Sequence, residues 1–311
     1  MAKVPNIFHF VFGLRPQKEP FHFAYYMCLV SCLVVNKPEK IYFHYKHLPY
    51  GKWWDRIRPY LNLNQIEEDS FIGSYQYKNK ELEKYRYAHL SDITRLEILL
   101  EYGGVYADID TLFVNKLPAE FFDKSFIMGK ERVNWSEKSA EKAGGSLCNA
   151  WILSEKNSSF ARRWLDQIYE AFDGSWSNHS TFLPYFLSQQ YPNEIQVEPE
   201  RSFFHFDWSK QGITNIFLKQ QKDLSQIYSI HLWSHLWWEK DRIDNTYFHN
   251  ERLTPNYVAF AKTTYADIAK PFLPADIQID KMKFYLETIK WSIENKMLLA
   301  GNLGKRLIQK V

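Results

Sequence analysis

Residues 87–117 read YAHLSDITRLEILLEYGGVYADIDTLFVNKL, and the fold class follows from how the pattern changes along them. Between Ala88 and Tyr102 the apolar positions Ile93, Leu96, Leu99 and Leu100 recur at intervals of three and four, which predicts a helix with one buried stripe. Gly103-Gly104 supplies a left-handed stop. Val105-Tyr106-Ala107 continues as extended chain and delivers Asp108-Ile109-Asp110. A helix that feeds a strand is the repeating step of an α/β protein.

Upstream the alternation continues. Pro5–Gly13 (PNIFHFVFG) is a short apolar run ending at glycine, as expected of a buried first strand. Residues 21–35 form an apolar helix, Lys40–Tyr45 a strand, Trp53–Leu61 a short helix and Phe71–Ile72 a further strand. Short connections between alternating elements predict a layered mixed sheet flanked by helices, in place of a bundle or a sandwich. No Pro/Ser/Gly linker interrupts the 311 residues, so the expected division is one α/β domain over 1–270 and a helical tail over 271–311. In the tail, Asp276–Val311 intersperses Ile277, Met282, Tyr285, Leu286, Ile289, Ile293 and Met297 with lysines. That is a basic amphipathic helix, with a break expected near Gly301–Gly304. Packing on the domain or a partner is its commoner use, and peripheral contact with anionic lipid is the other.

Composition excludes several classes. With 45% apolar and 24% charged residues and a formal net charge of +3, the chain is neither disordered nor a strongly basic nucleic-acid binder, and it carries no nucleic-acid recognition motif. Residues 21–35 contain His22, two tyrosines and Ser31 and fall short of the roughly 20 apolar residues a membrane span needs. The start runs into Arg15-Pro16-Gln17-Lys18-Glu19 without a small-residue cleavage site, so the expected address is cytoplasmic, with a membrane-surface position open to the tail. Cys28, Cys32 and Cys148 are an odd set in apolar settings and read as reduced core residues.

The chemistry is concentrated around Asp108 and Asp110, whose carboxylates alternate onto one side of the extended segment. Such hard oxygen ligands suit Mg2+ or Mn2+, ions that keep positions open for a substrate's phosphates, so the expected substrate is a diphosphate ester. On the preceding helix Ser91, Asp92 and Arg95 share one flank. Two readings stand for them: an intrahelical ion pair, or a polar patch in which an aspartate receives sugar hydroxyls while an arginine reaches phosphate.

The combined pattern S-D-x-x-R followed by G-G-x-Y-x-D-x-D resembles the glycosyltransferases with a D-x-D sugar-binding region. These include α-1,4-galactosyltransferases, α-1,4-N-acetylglucosaminyltransferases and bacterial polysaccharide transferases, with a more distant similarity to glucosylating toxins. The resemblance implies a GT-A type, Rossmann-like mixed sheet. It implies transfer of a hexose or N-acetylhexosamine from a nucleotide sugar, with uracil the common base, to a glycan or glycolipid hydroxyl with retained configuration.

Carried over residue by residue, the resemblance implies that Asp110 binds the metal directly, that Asp108 contacts the donor's ribose or sugar and the metal, in part through water, and that Asp92, Arg95 and Ser91 grip the donor sugar. Tyr106 then lines the nucleotide pocket, or is an ordinary core tyrosine. Val11, Phe12 and Gly13 match the family's H-F-V/I-W-x-G start, where Phe12 lies against the base or serves the core; His9 points the other way as a hydrogen-bonded core histidine. Asn149, in Ser146–Leu153, reaches sugar or acceptor, or caps a turn. His231 matches the histidine of a closing His-x-Trp segment and completes the metal shell, or is bonded in the core. The relatives' following serine is replaced by Leu236, leaving Ser234 or His235 to substitute.

Aromatic residues make up 17% of the chain. Trp176, in the polar segment Gly174–Ser180, is the favoured acceptor-groove ring. Glu131–Gly145 is charged, lacks apolar periodicity and reads as a mobile loop over a site. Three other classes remain open: a carbohydrate or nucleotide-sugar binding protein without catalysis, a membrane-surface scaffold based on the tail, and an aspartyl-phosphate phosphohydrolase. Asp108-Ile109-Asp110-Thr111-Leu112 resembles the phosphohydrolase motif superficially, except that leucine stands four residues beyond Asp108.

Overall fold

The computed structural model describes residues 2–66, 75–137, 139–240 and 246–308, with side chains to residue 300. The strand expected at Phe71–Ile72 lies outside them. Two compact units result, one of Met1–Trp208 with Asp223–Leu232 and one of Ser209–Lys222 with Trp233–Val311.

The first unit is α/β. Its seven-stranded sheet has the order β3-β2-β1-β4-β7-β6-β8, with β1 Ile7–Phe12, β2 Lys40–Tyr45, β3 Asn62–Gln65, β4 Gly104–Ala107, β6 Phe126–Lys130, β7 Leu147–Ser154 and β8 Gln196–Glu198. Strands β3, β2, β1 and β4 run parallel, the Rossmann-like half expected of the chain, while β7 enters antiparallel to both β4 and β6. A separate ribbon pairs β5 Thr111–Phe113 with β9 Ser229–His231, antiparallel.

Strand alternation divides the core in two. On one face, Phe8, Phe10 and Phe12 of β1 turn to the apolar helix α1, Phe23–Asn36, and Phe12 packs 5.3 Å from Phe21, just ahead of the helix, and 5.5 Å from Tyr25 within it. The free thiols of Cys28 and Cys32 are buried in α1, and that of Cys148 in β7, as read from sequence. Ser31 of the same helix accepts from Phe113 N at 2.9 Å and so fixes β5. Residues 52–60 form a short helix, α2 Lys52–Ile57, that tightens into a 3-10 turn.

On the other face, Val11 and Tyr106 meet α3, Arg86–Tyr102, and α4, Ser159–Ala171. Ile93, Leu96, Leu99 and Leu100 are all buried there with Trp164 and Ile168. Each such side chain contributes about 1.5–3 kcal/mol when fully removed from water.

The stop after α3 is tight for a physical reason. Gly104 has φ +108, and a Cβ there would stand 2.6 Å from Ile7 O and 3.1 Å from His9 Nε2. His9 does point away from Phe12, into a chain of hydrogen bonds. Asn64 Nδ2 lies 3.0 Å from His44 Nδ1, His44 Nε2 lies 3.0 Å from His9 Nδ1, and His9 Nε2 lies 2.8 Å from Gly103 O. With an amide donor at one end and a carbonyl acceptor at the other, each imidazole carries one proton and both are neutral.

The second unit is helical, with α5 Lys210–Phe217, α6 Pro255–Phe260, α7 Thr264–Ala269 and α8 Lys281–Ile308. Phe217 and Phe248 stack at 4.2 Å beside Trp237 and Tyr265, and Tyr257 Oη donates to Phe217 O at 2.6 Å. The long helix α8 is unbroken through Gly301 and Gly304. This corrects the expected break: helical glycine costs about 1 kcal/mol relative to alanine, which a long helix absorbs.

Candidate active site

Local folding brings the two halves of the motif together. The first turns of α3 present Ser91, Asp92 and Arg95, while β4 ends at Ala107 so that Asp108 leaves the sheet beside them. Asp108 N donates to Ala150 O of β7 at 2.8 Å, and Thr111 N donates back to Asp108 O at 2.9 Å. The resulting turn carries Asp110 into β5, where Thr111 registers with His231 and Leu232 N donates to Asp110 O at 3.0 Å. A two-stranded ribbon therefore sets a histidine 121 residues away against the aspartates.

His231 Nε2 lies 3.0 Å from Asp110 Oδ1 and 3.8 Å from Asp108 Oδ2. One ligand atom from each of the three residues falls within 4.8 Å of the others. Two carboxylate oxygens and an imidazole nitrogen converging in this way could hold a divalent metal ion. Burial alone lowers the His231 pKa, but Asp110 and Asp108 outweigh it and hold the imidazole above its ordinary value. Burial raises Asp108, against the pull of Arg95 and His231.

Arg95 is 4% exposed, and each of its nitrogens has protein partners. Nε donates to Ser91 O at 3.1 Å, Nη2 to Ser91 Oγ at 3.3 Å, and Nη1 to Asn149 O. Ion pairs join Nη2 to Asp92 Oδ1 at 3.0 Å and Nη1 to Asp108 Oδ1 at 3.4 Å. These three hydrogen bonds and two ion pairs all lie within the site, and the ring of Tyr106 lies 4.6 Å beneath the guanidinium. Arg95 clamps two aspartates; the phosphate contact expected of it would compete with these partners.

Asp92 is 8% exposed and more heavily supported than the sequence suggests. Asn149 Nδ2 donates to Oδ1 at 2.7 Å, and His179 Nε2 lies 2.9 Å from Oδ2. Burial by itself would raise this carboxyl, but Arg95 and His179 together hold it below the usual carboxylate range. Asn149 thus works from the middle of β7 and caps no turn. Tyr106, 1% exposed, packs in the core and sends its hydroxyl to Asp108 Oδ1 at 2.7 Å and Ser91 Oγ at 3.3 Å. It serves Asp108 directly.

His179 escaped the sequence reading. It sits in a π-helical turn, Asn178–Phe182, fully buried, a local geometry that recurs at functional sites. The sequence signal was faint: one histidine at the end of the polar segment Gly174–Ser180. Trp176, three residues earlier and 42% exposed, rests against Tyr85 and His89 at 5.5 and 6.3 Å. In the segment read as a mobile loop, Asn134–Glu137 forms a turn, and Ala140–Ala143 one turn of helix. Glu137 accepts from Ser177 Oγ at 2.7 Å. Glu131 accepts from Ser146 Oγ at 2.7 Å, and burial raises its pKa.

The remaining positions expected at the donor divide by element. Val11 is buried in the α3-side core and Phe12 half-buried among aromatics on the α1 side. Gly13 has φ +72, and a Cβ there would stand 2.2 Å from His47 O. Ser234 opens a single helical turn, Ser234–Trp237, of the second unit.

The sequence matches the family described as capsular polysaccharide synthesis protein over residues 61–215, a span that holds both S-D-x-x-R and D-x-D. Glucan organizing enzyme 1 of Cryptococcus neoformans var. grubii serotype A is 34% identical over 278 residues, covering 87% of this chain and 71% of that protein. Among solved structures, the galactosyltransferase LgtC in complex with donor and acceptor sugar analogs matches with a TM-score of 0.45 and 12% identity, over 87% of this chain and 98% of that one. The apo-form glycosyltransferase GlyE of Streptococcus pneumoniae TIGR4 matches with a TM-score of 0.45 and 13% identity, over 96% and 64%.

Proposed function

The chain belongs to the capsular polysaccharide synthesis protein family, and from that premise we propose that it is a metal-dependent glycosyltransferase. It moves a hexose or N-acetylhexosamine from a nucleotide sugar, UDP-linked, to a hydroxyl of a glycan or glycolipid, with retention of configuration. The observation that carries this reading is the convergence of Asp108, Asp110 and His231 within 4.8 Å, next to an Asp92 carboxylate held by Arg95, Asn149 and His179.

Asp110, Asp108 and His231 would hold Mn2+ or Mg2+, which opposes the charge that grows on a departing nucleoside diphosphate. Asp92 stays ionised and presents its remaining acceptor capacity to a sugar hydroxyl. Arg95 and Tyr106 fix the directions of Asp92 and Asp108, so the carboxylates need not reorganise as charge develops. Trp176, with an exposed face beside the His179 turn, offers a stacking surface for an acceptor sugar.

The test is a panel of sugar nucleotides with manganese, read by released nucleoside diphosphate and by the anomeric configuration of the product. We expect one donor to be used and Asp110→Asn to lose roughly 100-fold or more of the rate. Equal release by wild type and variant would refute the assignment. Donor binding without turnover would instead make the chain a nucleotide-sugar binding protein.

A further inference from the structure

Helix α8 has two apolar sides and packs only one of them. Phe284 lies 5.9 Å from Phe260 of α6. Trp291 is 8% exposed beneath the Arg252 guanidinium, which also donates to Asn295 Oδ1. At about 100° per residue, residues 284, 291 and 295 mark the packed side.

The opposite side carries Met282, Leu286, Ile289, Ile293 and Met297, exposed by 68, 60, 58, 55 and 69%, with Tyr285 at its edge. Single exposed apolar residues are ordinary, but a contiguous stripe along several turns marks a surface that meets something.

The charges select what it meets. By the same helical spacing, Lys283 and Lys290 border the stripe on one side, and Lys281 and Lys296 on the other. All four are exposed. Glu287 and Glu294, the acidic residues of Lys281–Ala300, are half-buried and turn toward the packed side. Glu294 still reaches Lys290 at 3.9 Å, so the border holds four lysines to this one acid, and a second copy of the stripe would bring mainly lysine against lysine. A surface of acidic lipid would take the apolar row at its acyl boundary and the ammonium groups at its phosphates, with the lysine stems lying over the edge. Sequence extends the basic character with Lys305, Arg306 and Lys310. Among the described residues no helix is long and apolar enough to cross a membrane, so the contact is one of lying on the surface.

We infer that the outward face of α8 docks the protein on an anionic membrane surface, with Met282, Leu286, Ile289, Ile293 and Met297 as the inserted row and the flanking lysines on lipid phosphate. This does not depend on the reaction proposed above.

The experiment is co-sedimentation of the full chain with phosphatidylcholine vesicles, and with the same vesicles containing phosphatidylglycerol. The protein should pellet with the mixed vesicles and weaken as salt is raised. Ile289→Glu with Ile293→Glu should lower the partition coefficient about tenfold or more, and Lys283→Glu with Lys290→Glu should remove the preference for acidic lipid. These side chains face solvent, so unchanged melting curves will show that the fold is kept, and Ile289→Leu should bind as wild type. No binding to either vesicle overturns the inference, as does equal binding to neutral and acidic vesicles. A dimer in light scattering that Ile289→Glu dissociates would also overturn it, by giving the stripe to a second copy.

Discussion

At the scale of single residues, the site is a set of carboxylates that others hold in place. Tyr106 fixes Asp108 through one 2.7 Å hydrogen bond. Tyr106→Phe keeps the ring under Arg95 and deletes that bond together with the longer 3.3 Å one to Ser91 Oγ, so the fold should survive. Partners of metal ligands are worth roughly 10–100-fold in affinity, and manganese titration of activity should show a rise of that order in the half-saturating concentration. An unchanged metal requirement would remove Tyr106 from this role. His179 does for Asp92 what Tyr106 does for Asp108. His179→Ala leaves a buried carboxylate oxygen without its donor, at about 1–3 kcal/mol, and should lower both the melting temperature and turnover. His179→Asn, which keeps a donor, should recover turnover in part. If alanine and asparagine behave alike in turnover while differing in stability, His179 serves packing alone.

At the scale of elements, what was legible in the sequence is what lies in one continuous run. The α3 stripe, the glycine stop and the carboxylates after it are local patterns, and the structure keeps their spacing. Partnerships across the sheet carry no such trace. His231 reaches Asp110 only because β9 pairs with β5, and Asn149 reaches Asp92 because β7 reverses against β4. His9 showed its direction by alternation but not its partner, since β1 and β2 are joined by a helix. That pair makes a prediction of its own. Burial holds His9 down to about 4 and His44, with His9 beside it, down to about 3. Each depressed value favours the fold above the unfolded histidine pKa, and the contribution is lost as pH falls toward the folded values. Unfolding by urea should therefore show stability falling from about pH 6.5 downward, by about 2 kcal/mol for His9 alone at pH 5. His9→Gln, less stable at neutral pH, should flatten that slope. A flat profile between pH 7 and 5 in the wild type would show that the pair is charged or absent.

At the scale of the whole molecule, stability and the proposed activity meet in the same three side chains. Nothing in an unfolded chain brings Asp108, Asp110 and His231 within 4.8 Å, so an ion they share binds the folded state alone and stabilises it by mass action. At a hundredfold excess over its dissociation constant, manganese would add about 2.7 kcal/mol, enough to raise a melting temperature by roughly 5–10 °C in a unit of this size. Chelator should reverse the shift. Asp110→Asn removes a ligand at the turn into β5 and should abolish most of the response while keeping a cooperative melt, because Leu232 N still finds the Asp110 carbonyl. The measurement separates the metal from the chemistry. A shift lost in the variant together with inactive wild type would keep the ion and discard the transferase, whereas an equal shift in both proteins would place the ion elsewhere.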